Sequence, residues 1–192
     1  KTLTVKKLKK ALEEKGFQLQ FRKNGELINI QKAYEALYDL SELTESEQNI
    51  LEAFSTLPYI PLAAEVCDEW LLADAGASEE DDILMGLYQK GWLQFDIDQA
   101  SYALHPVFAQ FIYEKCKPKA ENHVGLIEVC RRYLKIPKSG SALSCQKFVP
   151  FAENISEKLI RENNEEQANF ISAIAYLYNY LAEYKKAVEL YK

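Results

Sequence analysis

The chain has 192 residues, of which 48% are hydrophobic and 12% aromatic, and its formal net charge at pH 7 is -6. This composition predicts a packed core and argues against intrinsic disorder, while the acidic balance argues against a sequence-independent grip on nucleic acid. The sequence contains no run of about 18 apolar residues, which a membrane span would need, and it does not begin with a signal-peptide pattern. We expect a cytoplasmic protein of about one to two domains. Because it begins with Lys1 and ends in a helical pattern, we expect a segment of a longer protein.

The N-terminal stretch predicts a helix, a hairpin and a second helix. Apolar residues recur at helical spacing over residues 4–15, and Gly16 can end that helix in a left-handed conformation. Alternating hydrophobic residues flank Asn24-Gly25, which predicts a β-hairpin. Helical spacing then resumes over residues 30–40.

Three further helices are predicted next. Thr44 can cap the first, with Glu47 returning the hydrogen bond as a capping box. Pro61 is expected to open the second helix, since proline suits a first helical position. The third helix is expected over about residues 79–90.

Two short strands and a closing helix follow. The segments "WLQF" and "YAL" are aromatic and β-prone, with polar turn residues between them. Pro106 is placed to begin the closing helix. Three helices followed by a two-stranded ribbon is the order of a winged-helix domain, which belongs to the helix-turn-helix family of shapes, and we place it at residues 40–117.

The charge of this predicted domain argues against DNA binding. Its third helix would enter the major groove, yet that helix and the wing carry only one base, Lys90. The acids that surround it would repel phosphates, and they are Glu79, Glu80, Asp81, Asp82, Asp96 and Asp98. We interpret the run at residues 79–82 as a solvated helix start rather than as a metal or catalytic site.

The remaining residues, 118–192, are predicted to be helical after a joint at residues 117–119. One predicted helix is marked by Val124, Ile127, Cys130, Arg131 and Leu134. Another is marked by Phe148, Phe151, Ile155 and Leu159, with Pro150 near its first turn. The stretch "KIPKSGSALS" between them is typical of a linker.

The sequence contains no pattern that predicts catalysis. A phosphate-binding G-x-x-x-x-G-K-[ST] loop, a G-x-S-x-G motif, an H-E-x-x-H motif and a G-x-G-x-x-G motif are all absent from it. The four cysteines stand at no zinc spacing and are expected to be buried, reduced thiols; they are Cys67, Cys116, Cys130 and Cys145. We therefore expect neither an enzyme nor a metal site in this chain. A glycosylation sequon at Asn154-Ile155-Ser156 is interpreted as a chance match.

The last segment, "ISAIAYLYNYLAEYKKAVELYK", resembles a tetratricopeptide (TPR) repeat over about one repeat. The residues that match its pattern, and that are expected in repeat packing or protein interaction, are Ile174, Ala175, Tyr178, Tyr184, Ala187 and Tyr191. Ala182 departs from the pattern, because it stands where the repeat usually carries glycine. Any tight helical hairpin would also place small residues at Ala175 and Ala187. A single repeat cannot bury its face alone, so the resemblance implies further repeats.

The middle of the chain resembles the winged-helix segment of STAND-type (NB-ARC-like) NTPases. The stretches that carry this resemblance are "LSELTESEQNILEAFSTLP", "ILMGLYQKGWLQF" and "SYALHPVFAQFIYEKC". Together the two resemblances imply a mainly α fold, in which a winged-helix domain with a small two-stranded β-wing leads into TPR-like helical hairpins. They also imply that residues 1–39 trail from the helical lid of an NTPase module, that residues 40–117 are the winged helix, and that residues 118–192 enter the repeats.

The STAND resemblance gives His105 an expected role. In this family a Met-His-Asp motif follows the wing, and its histidine contacts the β-phosphate of ADP. Leu104-His105-Pro106 resembles that motif, although Pro106 replaces the acid. The histidine could instead only cap or pack at the start of the closing helix. His123 has no comparable support and is expected at the surface.

The resemblances imply a non-catalytic regulatory and protein-interaction segment of a signal-transducing ATPase. The winged helix would contact a nucleotide-binding core and favour the ADP-bound resting state, and the repeats would sense a protein partner. ATP and ADP are implied only for the intact protein. The alternatives are a winged-helix transcription regulator with a TPR domain and a TPR scaffold that has no nucleotide link.

Overall fold

The computed structural model describes residues 20–23, 26–29, 38–71, 82–138, 141–159 and 165–190. This part of the chain is mainly helical and holds small antiparallel sheets. None of its helices combines the length and the apolar character needed to cross a lipid bilayer. The predicted helix at 4–15 and most of the predicted helix at 30–40 lie outside the described residues.

The predicted N-terminal hairpin has both of its strands. Strand β1 (Gln20–Lys23) pairs antiparallel with β2 (Glu26–Asn29). Its register places Gln20 opposite Asn29 and Lys23 opposite Glu26. Two residues therefore join the strands, which is the loop length that an Asn-Gly pair favours, while Asn24-Gly25 itself lies outside the described residues.

The first half of the remaining structure contains four helices and a three-stranded sheet. In chain order the elements are a 3-10 turn at Leu40–Glu42, α1 (Glu45–Thr56), β3 (Leu62–Ala63), α2 (Ala64–Leu71), α3 (Ile83–Gln89), β4 (Leu93–Asp96), β5 (Ser101–Leu104) and α4 (Pro106–Cys116). The predicted capping box of α1 is confirmed, since the Thr44 hydroxyl accepts from the Glu47 N–H at 3.2 Å. The Glu47 carboxylate in turn accepts from the Thr44 N–H at 2.9 Å.

The expectation that Pro61 opens a helix is wrong. Leu62 and Ala63 form strand β3 instead, paired with Tyr102 and Ser101, so the sheet has the order β3-β5-β4. The helix begins only at Ala64. A two-residue strand has no periodicity to detect, and its pairing with a segment far along the chain decides its conformation.

Helix α3 is shorter in the described structure than the prediction of residues 79–90. Asp82 is its N-cap and accepts from the Met85 N–H at 3.0 Å, while residues 79–81 lie outside the described residues. At its other end Gly91 adopts a φ of 79°, and the Trp92 N–H donates to the Leu87 carbonyl at 2.9 Å. This left-handed turn directs the chain into β4.

The second half is helical. Its elements are a 3-10 turn at Ala120–Asn122, α5 (Val124–Leu134), α6 (Leu143–Gln146), α7 (Val149–Leu159), α8 (Glu165–Tyr180) and α9 (Tyr184–Glu189). Part of the predicted linker is therefore helical, because α6 begins within it. The helix predicted from Val124, Ile127, Cys130, Arg131 and Leu134 is confirmed as α5. Cys130 and Leu134 are buried, together with Leu126 and Val129, whereas Val124 and Arg131 are exposed.

The two halves share a continuous apolar core. Trp70 of α2 is fully buried, with its ring centroid 5.4 Å from that of Tyr133, 5.8 Å from that of Phe148 and 5.5 Å from that of Phe151. An aromatic cluster of this size dominates the packing energy where it occurs. Helices α5 and α7 are therefore packed against α2.

Polar contacts from α7 reinforce this docking. The Asn154 amide donates to the Thr56 carbonyl at 3.1 Å, and Lys158 Nζ donates to the Ser55 carbonyl at 2.7 Å. Both carbonyls belong to the last turn of α1, where a helix has no partners of its own for them. Helix α7 thus caps α1 across a long sequence separation.

Candidate functional site

A groove of about 820 Å³ lies between α5 and α8, and we call it the basic groove. Its residues come from α5, from the segment that follows it, and from α8. Its cationic and tyrosine side chains are Arg131, Arg132, Lys135, Lys138, Tyr176 and Tyr180. The chain as a whole is acidic, so a cluster of four cations in one concave surface is a local reversal of charge.

Two of the four cations are paired. Arg131 donates to both carboxylate oxygens of Glu128 at 2.9 and 2.8 Å, a bidentate pair that lowers the pKa of Glu128 and raises that of Arg131. Arg132 lies 3.4 Å from Glu69 of α2. Both arginines and both glutamates of these two pairs are substantially exposed, so the pairs are screened by water and contribute little to stability.

The other two cations, Lys135 and Lys138, form no ion pair within the part of the chain that the structure describes. Both are exposed. The Cys145 thiol of α6 lies 3.7 Å from the Lys135 carbonyl oxygen and tethers the start of this segment. The groove therefore has an excess of positive charge on a positioned backbone.

Tyrosines form the opposite wall. Tyr176 and Tyr180 lie one turn apart on α8, with ring centroids 5.0 Å apart and hydroxyl oxygens 3.2 Å apart. They are 55% and 61% exposed and lie on the solvent-facing side of α8. Between the walls, Ala173 is small enough to leave the groove open.

The basic groove was not predicted, although its signal is present in the sequence. Its cations stand at 131, 132, 135 and 138, two in the last turn of α5 and two in the non-helical segment that follows it. The two tyrosines stand at the i, i+4 spacing. The sequence interpretation used Arg131 only to mark a helix and gave no role to the cations around it.

Most of the residues that match the repeat pattern are part of the core. Ile174, Ala175, Tyr178 and Ala187 are buried, Tyr184 is exposed, and Tyr191 lies outside the described residues. The Tyr178 hydroxyl donates to Glu153 of α7, and Lys186 Nζ of α9 lies 5.0 Å from the Tyr178 ring centroid. Burial, and then the bond to Glu153, raises the pKa of Tyr178. This ring links α7, α8 and α9.

His105 is exposed at the N-cap of α4. Its Nδ1 accepts from the Val107 N–H at 3.2 Å. An accepting Nδ1 leaves the proton of a neutral imidazole on Nε2, so Nε2 is a donor. The side chain therefore performs the capping role and still presents a donor next to the helix N-terminus.

The expectation that His123 lies at the surface is wrong, because its side chain is fully buried. Its Nε2 lies 3.6 Å from a Glu52 carboxylate oxygen of α1, and within the described structure neither ring nitrogen has a hydrogen-bond partner. Polar neighbours in the sequence suggested exposure, but the 3-10 turn at Ala120–Asn122 directs the ring inward. His123 and Glu52 thus join α5 to α1.

Three of the cysteines have a raised pKa, which keeps them as protonated thiols rather than nucleophiles. Burial raises the pKa of Cys67 to about 12, burial together with Glu52 raises that of Cys116 to about 12, and burial raises that of Cys130. Among the described residues, no three His, Cys, Asp or Glu side chains form a group that could hold a metal ion.

In comparisons with known proteins, no family model, curated protein or solved structure matches this chain. Its function is therefore inferred from the charges and shape of its own surfaces.

Proposed function

We propose that this chain is a non-catalytic regulatory segment that binds a protein partner, and that the basic groove receives a polypeptide. The observation that carries the proposal is the groove itself, a concave surface with two exposed tyrosine rings opposite two exposed lysines. Exposed aromatic rings and a concave shape are features of surfaces that bind peptides, because they bury apolar area at low entropic cost.

Selection of peptides from a random display library tests this function. The native chain is expected to enrich a consensus that a Ser172→Trp variant does not enrich, since an indole on this exposed groove residue fills the space between the walls. Tyr184→Trp, an exposed position of α9 that does not line the groove, serves as the control. Equal enrichment by the native chain and the Ser172→Trp variant would place peptide binding elsewhere.

The winged-helix and TPR interpretations belong to the same proposal. The order of α1, α2, α3, the β4–β5 hairpin and α4 supports a winged helix, and the α8–α9 hairpin supports a TPR-like unit. In a cytoplasmic STAND ATPase, such a segment would stabilise the ADP-bound resting state, with His105 donating from Nε2 to a phosphate. The exposure of His105 supports this role.

Two substitutions separate nucleotide contact from helix capping in the longer protein that the proposal implies. His105→Asn keeps a side-chain acceptor at the N-cap, whereas His105→Ala removes it and costs about 1 kcal/mol. We expect both variants to release ADP faster, with only His105→Ala losing stability. If His105→Asn retains ADP as the native protein does, the histidine is only a cap. For the present chain, mutation-sensitive ATP turnover would contradict the non-catalytic proposal.

The transcription-regulator alternative has less support from the structure. Lys90, the one base of its DNA-facing region, forms an ion pair with Glu47 at 2.6 Å. The wing turn is closed by Asp96, which accepts from the Asp98 and Gln99 N–H groups at 2.9 and 3.0 Å. Tight duplex binding at low salt, lost on Lys90→Gln, would nevertheless restore this alternative over the one proposed. The scaffold alternative predicts that neither His105 variant changes ADP release.

A further inference from the structure

We infer that the occupant of the basic groove is an acidic peptide segment that also carries an apolar side chain. This inference rests on the proposed function, because it names the partner for the same groove. It is drawn from the separate chemistry of the two walls and of the surface around them.

The cationic wall sets the charge of the partner. Lys135 and Lys138 have no carboxylate to pair with among the described residues, although the chain has more acids than bases. Arg131 and Arg132 are held by Glu128 and Glu69 in exposed pairs, which an incoming carboxylate can join or replace at little cost. A peptide with acidic residues thus complements this wall.

The tyrosine wall and the groove floor set the apolar requirement. Tyr176 and Tyr180 expose ring area, and Leu134, Ile136 and Ala173 line the space between them and the cations. A leucine-sized side chain in this space would bury that area, whereas a purely acidic segment would leave it in water. Both features are therefore expected in one ligand.

Single-stranded nucleic acid fits this surface less well. Stacking on Tyr176 and Tyr180 is available to a base, but a phosphate follows every nucleotide, and among the described residues only two cations of the groove lack a partner acid. Glu128 and Glu69 lie beside the other two, Arg131 and Arg132, and the net charge of the chain is -6, so a continuous backbone would meet repulsion. A peptide, in contrast, need not carry a charge at every residue, so its carboxylates can lie only at positions that face the cations of the groove.

Fluorescence anisotropy with three labelled probes tests this inference on the whole chain. The probes are a short peptide of Glu-Glu-Leu repeats, its Gln-Gln-Leu counterpart and a uridine oligonucleotide of the same length. We expect the Glu peptide to bind about tenfold more tightly than the Gln peptide at low salt, with the difference shrinking as salt is added.

Charge reversal places the binding in the groove. The double variant Lys135→Glu, Lys138→Glu is expected to bind the Glu peptide at least about tenfold more weakly than the native chain does. Lys185→Glu, which reverses an exposed lysine of α9 that does not line the groove, is expected to leave binding unchanged. Both lysines of the double variant are exposed, so the fold is expected to tolerate these changes, and circular dichroism checks it.

Each contrary outcome has a distinct meaning. Equal binding of the Glu and Gln peptides would overturn the acidic partner while leaving the groove as a peptide site. Binding of neither peptide, together with no library consensus, would overturn the proposed function as well. Tighter binding of the oligonucleotide would assign the groove to nucleic acid. Self-association of the chain that the double variant abolishes would make a second copy the occupant.

Discussion

Ala182 carries a conformational cost that a single substitution should remove. It joins α8 to α9 with a φ of 60°, a left-handed conformation that a Cβ disfavours by about 1 kcal/mol. The Glu183 N–H donates to the Tyr178 carbonyl at 2.9 Å across this turn, so the conformation is fixed. We expect Ala182→Gly to raise the free energy of unfolding by about 0.5–1 kcal/mol, measured by urea denaturation. Ala173→Gly, within α8, should lower it by about 1 kcal/mol.

Glu47 should make stability depend on pH in the acidic range. Burial alone would raise its pKa, but hydrogen bonds from Lys90 and from the Thr44 N–H lower it below 4.5. Since the folded pKa lies below the unfolded one, the carboxylate stabilises the fold above about pH 4.5 and loses this effect as pH falls through the folded pKa. Urea midpoints of the native chain and of Glu47→Gln should be compared from pH 7 to pH 3. The native midpoint should exceed that of the variant at pH 7, and the difference should shrink as the pH falls below about 4.5. A difference that stays constant over this range would contradict the role of the Glu47 carboxylate.

At the scale of elements, the contact between α7 and α1 should depend on Lys158. Its ammonium donates to the Ser55 carbonyl and lies 5.6 and 5.4 Å from the ring centroids of Tyr59 and Tyr113. Burial lowers its pKa. Lys158→Met keeps the aliphatic stem but leaves the carbonyl without this donor, which should cost about 1–3 kcal/mol. Thermal unfolding of this variant, compared with exposed Lys185→Met, provides the measurement.

Elements whose signals are local were predicted well. The capping box of α1, the strands of the N-terminal hairpin and the start of α4 at Pro106 each depend on neighbouring residues. Strand β3 was missed because its partner is β5, about forty residues further along. Helix α5 itself was predicted, but which of its residues are buried is decided by packing against other helices rather than by spacing alone.

The residues of the candidate site also divide into those that local sequence predicts and those that only tertiary packing places. The capping position of His105 could be derived from Pro106, whereas the burial of His123 could not, since Glu52 and the interior around it come from another helix. The basic groove needs α5 and α8 side by side. Its cations and tyrosines are visible separately in the sequence, but their juxtaposition is a property of tertiary packing.

At the scale of the whole molecule, the shared core predicts cooperative unfolding of residues 40–190. Trp70 packs against rings that come from both α5 and α7, so removal of one ring should weaken both halves together. We expect Phe151→Ala to cost about 3–5 kcal/mol and to shift the transitions seen by tryptophan fluorescence and by circular dichroism equally. Separated transitions would show that the halves unfold independently.

The contact between Asn154 and α1 has a consequence for how the protein can be produced. Asn154 is the acceptor of the Asn154-Ile155-Ser156 sequon, and its amide nitrogen is already bonded to the Thr56 carbonyl. A glycan would replace one of the two hydrogens of that nitrogen, and its sugar would need the space between the two helices. In a secretory expression host, attachment of the sugar during synthesis would therefore compete with the docking of α7.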